Sequence, residues 1–171
     1  MTARHDPVPF PATRHDHERC VEDAFVRAER VCAARGVRLT DLRRAVLKIV
    51  WESHSPIGAY DILDRLRDTG RRAAPVTVYR ALDFLIANRL AHRLASQNAY
   101  LGCDHPEESH GAQFLICRRC GTTGELNDSE IAAAIAKSAE ETGFRIEAPV
   151  VEITGLCPRC RAPKDRDAHD E

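Results

Sequence analysis

The chain has 171 residues, of which 43% are hydrophobic and 30% charged, and its formal net charge is −1. This composition is that of a soluble globular protein with one domain or two small ones, and it excludes a largely disordered chain. No apolar run approaches the roughly 18 residues of a membrane span, and the N-terminal segment lacks the apolar stretch of a secretory signal. We therefore expect a cytoplasmic protein with no membrane partner, in which cysteines remain reduced.

Charge is divided unevenly along the chain. Residues 1–100 contain 17 Lys and Arg against 12 Asp and Glu, whereas residues 101–171 contain 8 against 14. A basic first half is typical of a protein that contacts a polyanion such as DNA, although solvated helix faces can produce the same excess.

Three amphipathic helices are predicted in the first half. Apolar residues recur at helical spacing over 17–35, 40–53 and 59–69. Thr40 is expected to be the N-cap of the second helix, and Tyr60 is included in the apolar pattern of the third.

A fourth helix is predicted immediately before a β-hairpin. In "APVTVYRALDFLIANR" the residues Val78 and Leu82 fall on one face, which leaves Arg80 on the other. Alternating segments at 90–94 and 99–103, separated by "ASQN", predict the two strands. This order of elements is typical of a winged helix-turn-helix, in which the last helix enters the DNA major groove and the hairpin is the wing.

Outward side chains of this half are candidates for contact with double-stranded operator DNA. A major groove about 12 Å wide accepts one α-helix, and the flanking phosphates attract arginine. Arg80 is favoured by its helix position, whereas Tyr79 could also pack at the core edge and the other arginines could be ordinary surface residues. The residues assigned to DNA binding are Thr77, Tyr79, Arg80, Arg44 and Tyr60.

The second half is predicted to be a small α/β lobe. "AQFLIC" and "FRIEAPVVEITG" are rich in β-branched and aromatic residues, and the segment "SEIAAAIAKSAEETG" between them predicts a helix. That helix is expected to start at Asp128 or Ser129 and to end before Gly143. A lobe of this size needs a cross-link or a partner to be stable.

Two C-x-x-C pairs occupy the predicted strand ends of this lobe. They are Cys117 with Cys120, and Cys157 with Cys160. Four thiolates can hold a zinc ion in a closed, tetrahedral structural site, and the alternatives are a redox pair or two unrelated thiol pairs. Cys20 and Cys32, in the first predicted helix, are interpreted as small buried hydrophobic residues.

A second group of possible ligands mixes nitrogen, sulfur and oxygen donors from both halves. Its members are His92, Cys103, His110 and Glu125. Such a set could hold a second zinc ion, although each residue by itself could equally be an ordinary polar side chain.

Several segments together resemble the ferric uptake regulator superfamily, and most closely its zinc uptake regulator branch. They are "VRLTDLRRAVLKIV", "AYDILDRL", "PVTVYRALDFLIANRLAHRL", "AYLGC", "FLICRRCG" and "GLCPRC". The resemblance extends from about Glu18 to Cys160. It implies a homodimeric, zinc-responsive repressor of zinc uptake genes, which is not an enzyme and has no small-molecule substrate.

The resemblance also defines the expected fold and domains. The fold class is α+β, with a winged helix-turn-helix DNA-binding domain at 18–101 followed by a small α/β metal-binding dimerisation domain at 102–162. Residues 1–17 and 163–171 are expected to be disordered tails.

Two zinc ions per chain are implied by the same resemblance. The structural ion would be held by the two C-x-x-C pairs, and the regulatory ion by His92, Cys103, His110 and Glu125. A soft thiolate at Cys103 favours zinc over iron or manganese. His105 lies close to His110 in the sequence, so the choice between them stays open. Metal is expected to act as co-repressor by selecting the closed arrangement of the dimer.

Three alternatives accompany this interpretation: a regulator of the same family that senses iron or manganese, a small zinc-dependent deaminase, and a thiol oxidoreductase. "HPE" at 105–107 matches the H-x-E of deaminases, but Ile116 and Leu156 stand where that signature requires proline. An oxidoreductase does not explain the basic helical half.

Overall fold

A computed structural model describes residue 10 and residues 16–52, 54–107, 112–147 and 149–162. The helices are α1 (His17–Ala34), α2 (Asp41–Trp51), α3 (Ala59–Asp68), α4 (Pro75–Ala87), α5 (Ser129–Glu141) and α6 (Pro158–Arg161). The strands are β1 (Ile57–Gly58), β2 (Ala91–Leu94), β3 (Ala99–Gly102), β4 (Ala112–Cys117), β5 (Thr123–Leu126) and β6 (Val150–Gly155). No helix in the described part of the chain is long and apolar enough to cross a membrane.

The four helices predicted in the first half are confirmed, with differences in detail. α1 begins at His17, the last residue of the predicted N-terminal tail, whose remainder apart from Phe10 and Asp16 lies outside the described residues, as does the tail at 163–171. Thr40 occupies the N-cap position of α2, but its side chain makes no capping hydrogen bond.

The expectation that Tyr60 belongs to the apolar stripe of α3 is wrong, because its side chain is 69% exposed. The buried face of α3 consists of Ile62, Leu63 and Leu66. At 100° per residue, Tyr60 lies roughly 110° around the helix from the centre of that face. Tyr60 is therefore directed towards solvent.

The first half is built around one apolar core between α1–α4 and a sheet of order β1-β3-β2. Leu47, Leu82 and Leu85 are among its fully buried members. Trp51 packs directly on Gly102, where an added Cβ would lie 2.3 Å from the indole ring. Only glycine permits this approach of strand β3 to helix α2.

The predicted hairpin is confirmed. β2 and β3 pair antiparallel from Ala91↔Gly102 to Leu94↔Ala99, and a short 3₁₀ turn at Ala95–Gln97 connects them. β3 ends at Gly102, one residue beyond the predicted domain boundary. β1 pairs with β3 through Ile57↔Tyr100 and was not predicted, because two residues are too few to produce a strand pattern.

The second half contains a sheet of order β5-β4-β6 and helix α5. The prediction for β4 is confirmed over its whole length. β6 occupies only the last part of its predicted segment 144–155. Phe144, the first residue of that segment, follows α5 and is 68% exposed. β5 was not predicted because "TGEL" has no apolar alternation. Asp128 caps α5 by accepting hydrogen bonds from the backbone N–H groups of Glu130 and Ile131.

A second buried cluster joins the wing to this sheet. It consists of Leu94 and Leu101 from the hairpin, and Phe114 and Ile116 from β4. Helix α5 contributes no buried residue. The apolar interior of the second half is therefore shared with the wing.

Candidate metal centres and nucleic-acid interface

The two C-x-x-C pairs meet at one end of the second sheet. β4 and β6 run parallel, with Cys117 opposite Gly155, so both chains leave the sheet at the same end. The four cysteine Sγ atoms all lie within 4.8 Å of one another. Cys120 Sγ is 3.7 Å from Cys157 Sγ.

Tight turns aim these thiols at a common centre. After Cys120 the chain turns back through Gly121, whose φ of 76° is left-handed and whose N–H donates to the Cys117 carbonyl at 2.9 Å. Arg119 secures the second pair to the first, because its guanidinium donates to the Cys160 carbonyl at 2.7 Å.

The four thiols differ in acidity. Backbone N–H groups of Cys157 and Cys120 lower the pKa of Cys117. Hydrogen bonds from Thr122, first its side chain and then its backbone, lower the pKa of Cys120 to about 5. Burial raises the pKa of Cys160 to about 12. Several thiolates this close repel one another unless a cation lies between them, so the group fits a tetrahedral zinc ion.

A second group brings together His92 of β2, Cys103 at the end of the wing and Glu125 of β5, with ligand atoms within 4.8 Å of one another. His92 Nε2 lies 2.9 Å from Glu125 Oε1, and the Glu125 side chain is only 2% exposed. The other Glu125 oxygen accepts a hydrogen bond from the Asp104 backbone N–H at 3.2 Å. The group therefore links the wing to the second sheet.

Burial raises the pKa of the Cys103 thiol, and the neighbouring Glu125 carboxylate raises it further. The thiol is thus protonated in this arrangement, and a metal ion must displace that proton to bind sulfur. Imidazole, thiolate and carboxylate are all established zinc donors, so the group fits zinc with one position left for a further ligand.

Of the two loop histidines, His110 lies outside the described residues. His105 is described and exposed, and its side chain is not part of the group. Its backbone forms a hydrogen bond to Cys103 that lowers the thiol pKa. His110 as the fourth ligand stays a prediction.

A third group was missed in the sequence. His17, Cys20 and His54 have ligand atoms within 4.8 Å of one another. Cys20 is half-buried, so its interpretation as a buried hydrophobic residue is wrong, whereas the same interpretation of Cys32 is confirmed by its 3% exposure. The H-x-x-C spacing of His17 and Cys20 was the available signal, but nothing in the sequence connects them to His54.

The outer face of α4 carries the predicted groove-facing residues. Thr77 and Arg80 are exposed and Tyr79 is 38% exposed, while Val78 and Leu82 face the core. Tyr60 of α3 is also exposed.

Arg44 differs from these residues, because its guanidinium lies 2.5 Å from the Glu29 carboxylate. The neighbouring Arg43 guanidinium stacks 3.5 Å above the Phe84 ring. Both side chains therefore already have partners within the first half, and DNA contact by Arg44 stays a prediction.

A winged helix joined through its wing to a lobe with thiol and mixed-donor clusters defines a class of two-lobed, metal-binding winged-helix proteins. The chain belongs to the ferric uptake regulator family, whose model matches residues 34–154.

Two curated relatives have similar sequences. The chain is 38% identical over 142 residues to the zinc uptake regulation protein of Escherichia coli (strain K12). The aligned region covers 81% of this chain and 82% of the relative. It is 32% identical over 133 residues to the zinc uptake regulation protein of Mycobacterium tuberculosis (strain ATCC 25618 / H37Rv), and the aligned region covers 76% of this chain and 99% of that relative.

Solved structures with the same fold include a zinc uptake regulator complexed with zinc and DNA. It has a TM-score of 0.76 and 35% identity, and covers 86% of this chain and 96% of that chain. The crystal structure of holo XcZur has a TM-score of 0.73 and 44% identity, and covers 81% and 97%.

Proposed function

We propose that the protein is a zinc-responsive DNA-binding transcriptional repressor of zinc uptake genes, acting as a homodimer in the cytoplasm with zinc as co-repressor. The observation that carries the proposal is the group of His92, Cys103 and Glu125, which unites the wing with the second sheet. The similarity to zinc uptake regulation proteins, and to a regulator bound to zinc and DNA, supports it.

The four clustered cysteines are the proposed structural site. A zinc ion there supplies a cross-link with no open position for a substrate. The residues themselves join the ends of β4 and β6, which lie next to each other in the sheet. This cross-link compensates for the small core of the second half.

The mixed-donor group, with His110 as its proposed fourth ligand, is the regulatory site, for a total of two zinc ions per chain. Zinc binding would displace the proton of the Cys103 thiol, and the resulting thiolate of the wing would share the ion with the Glu125 carboxylate of the second sheet. The contact between the wing and the second sheet is therefore strengthened when zinc is available. Zinc, rather than iron or manganese, is proposed because Cys103 is a soft donor.

Dimer contacts are assigned to the second half. β6 is an edge strand of the described sheet, and it exposes Val150 by 50% and Ile153 by 46%. Exposed apolar residues on an unpaired edge are typical of an interface. In a twofold dimer the orientation of each wing relative to this interface sets the distance between the two copies of α4, and DNA half-sites have a fixed spacing.

DNA recognition is assigned to the outer face of α4. Thr77, Tyr79 and Arg80 would contact the major groove, with Tyr60 and Arg44 as the further proposed contacts. The buried face of α4 is held by the first-half core, so the helix is presented to the groove as a rigid element.

The test is a zinc titration with operator DNA, taken from upstream of zinc transporter genes and followed by fluorescence anisotropy. The Cys103→Ser variant removes the only sulfur of the regulatory group. We expect it to lose zinc-dependent operator binding but to keep dimerisation, the structural zinc and weak, salt-sensitive binding to any DNA. Cys32→Ser, which changes a buried thiol elsewhere, is the control and should respond to zinc normally. Unchanged zinc-dependent binding by Cys103→Ser would place the sensing site elsewhere.

A further inference from the structure

We propose that His17, Cys20 and His54 form a third metal site, one that takes zinc with lower affinity than the two sites above. The three ligand atoms lie within 4.8 Å of one another. The two imidazole rings meet edge to face, with centroids 5.0 Å apart and an interplanar angle of 66°. Metal binding at this site does not rest on the proposed function.

Two of the three ligands are placed by the start of α1. His17 and Cys20 are three residues apart on the helix, so their side chains lie on the same face. The first turn is fixed by the Asp16 carboxylate, which accepts a hydrogen bond from the Arg19 backbone N–H at 3.1 Å. The helix therefore presents an imidazole and a thiol together.

The third ligand is placed by the connection between α2 and β1. The His54 carbonyl accepts a hydrogen bond from the Thr123 N–H at 3.0 Å, and this contact anchors the connection to the start of β5. His54 thus reaches α1 from a segment that also touches the second half. A metal at this site would tie the start of α1 to the contact between the two halves.

The donor set and its surroundings suit zinc. Two imidazoles and one thiolate are borderline and soft donors, which zinc accepts. Bond lengths of about 2.0–2.3 Å place tetrahedral ligand atoms roughly 3.5 Å apart. The present separations, which are within 4.8 Å, need to shorten by about 1.3 Å at most, which side-chain rotation can supply. All three residues are half-buried, so an ion can enter and water can occupy the fourth position.

The order of filling follows from the number and charge of the ligands. The cysteine cluster offers four sulfur donors, whereas this group offers one sulfur and two neutral nitrogens. The mixed-donor group offers two negatively charged donors, a thiolate and a carboxylate, against one in this group. The third group should therefore fill last, at a zinc concentration where the other two sites are already occupied.

The experiment uses the full-length protein loaded with two equivalents of zinc. Cobalt(II) is then added, and the metal bound is counted by native mass spectrometry together with the near-ultraviolet thiolate-to-cobalt absorption. We expect wild type to bind one further equivalent and to develop the absorption band. Cys20→Ser should lose the band and the added equivalent, and His54→Ala should lose the added equivalent. Cys32→Ser, which changes the other thiol of α1, should keep both.

Two outcomes would overturn the proposal: wild type that takes up no third equivalent, or a Cys20→Ser variant that takes it up as wild type does. Amide hydrogen exchange gives an independent readout, because exchange at the first two turns of α1 should slow on metal addition in wild type and not in His54→Ala. Cys20→Ser should keep its first two zinc ions and its zinc-dependent DNA binding. If the wild-type protein showed no zinc-dependent DNA binding, the proposed function would be refuted, but the proposal of a third metal site would be unaffected.

Discussion

The two halves of the chain bury their apolar residues in different ways. The winged-helix half encloses its own core, with Leu47, Ile62 and Leu82 fully buried among helices and strands of the same half. The second half buries Phe114 and Ile116 only in a cluster completed by the wing, and α5 buries nothing. The first half thus derives its stability from its own packing. The second buries its apolar residues only together with the wing, and under the proposed function metal and a partner subunit would stabilise it further.

Cys157→Ser should produce the largest difference in stability between the two halves. Structural zinc sites contribute apparent binding energies on the order of 10 kcal/mol, which exceeds what a lobe with so small a core can supply alone. We expect the variant to lose the tightly bound zinc and the fold of the second half. Hydrogen exchange should show loss of protection in β4 and β6 but persistence in α2 and α4. Equal loss of protection in all four elements would mean that the halves are not independent.

Leu82→Ala should destabilise mainly the first half, the opposite of what we expect for Cys157→Ser. Truncating a fully buried leucine costs about 2–5 kcal/mol, and Leu82 lies in the first-half core. Trp51 is the single tryptophan of the chain and is buried in the same core, so its fluorescence reports on that half. In urea, the Trp51 transition should shift strongly in Leu82→Ala. The matched truncation Leu94→Ala, in the shared cluster, should shift it less, and equal shifts would contradict the division.

Arg80→Ala should reduce DNA binding without changing the stability of either half. If Arg80 contacts a base, operator affinity should fall by about 1–3 kcal/mol while binding to random DNA changes little. Arg93 of the wing is also exposed, and its replacement by Ala should weaken both kinds of binding alike if it contacts phosphate only. Anisotropy with the two DNAs measures the difference. If both variants lost affinity for operator and random DNA to the same extent, Arg80 would not recognise a base.

Glu152→Gln should have the smallest effect, and it acts directly on the contact between the halves. The Glu152 carboxylate of β6 accepts hydrogen bonds from the backbone N–H groups of Ala95 at 2.8 Å and Ser96 at 3.3 Å. Loss of its charge should weaken this contact by about 1 kcal/mol. Amide exchange at Ala95 and Ser96 should accelerate in zinc-free protein. The exposed Glu147→Gln is the control, and the same acceleration in it would rule out a local effect.

Sequence reasoning succeeded where the chain repeats a local pattern. The helices of the first half were predicted because their apolar residues recur at helical spacing, and strand β4 because its segment contains β-branched and aromatic residues. β1 and β5 were missed because two and four residues without alternation carry no such pattern. In the mixed-donor group, His92, Cys103 and Glu125 come from separate elements, so the residues alone indicated only a possible set, and the family resemblance was needed to favour it.

The group of His17, Cys20 and His54 shows most clearly what could not be predicted from the sequence. His17 and Cys20 are visible as neighbours on a helix, but His54 joins them only through the packing of α1 against the end of α2. That packing depends on the tertiary fold and is absent from any short stretch of sequence. Likewise, the pairing of Arg44 with Glu29 could not be distinguished in advance from an arginine available to DNA.

The cluster of Leu94, Leu101, Phe114 and Ile116 has a consequence for biosynthesis. Chains fold as they leave the ribosome, N-terminal segments first. The hairpin and the core beneath it emerge before β4, so two of the four apolar side chains are already in place when Phe114 and Ile116 appear. β4 can then dock on a preformed template before β6 has left the ribosome. The last cysteine pair, which arrives at the very end, would complete a lobe whose first strand is already held by the wing.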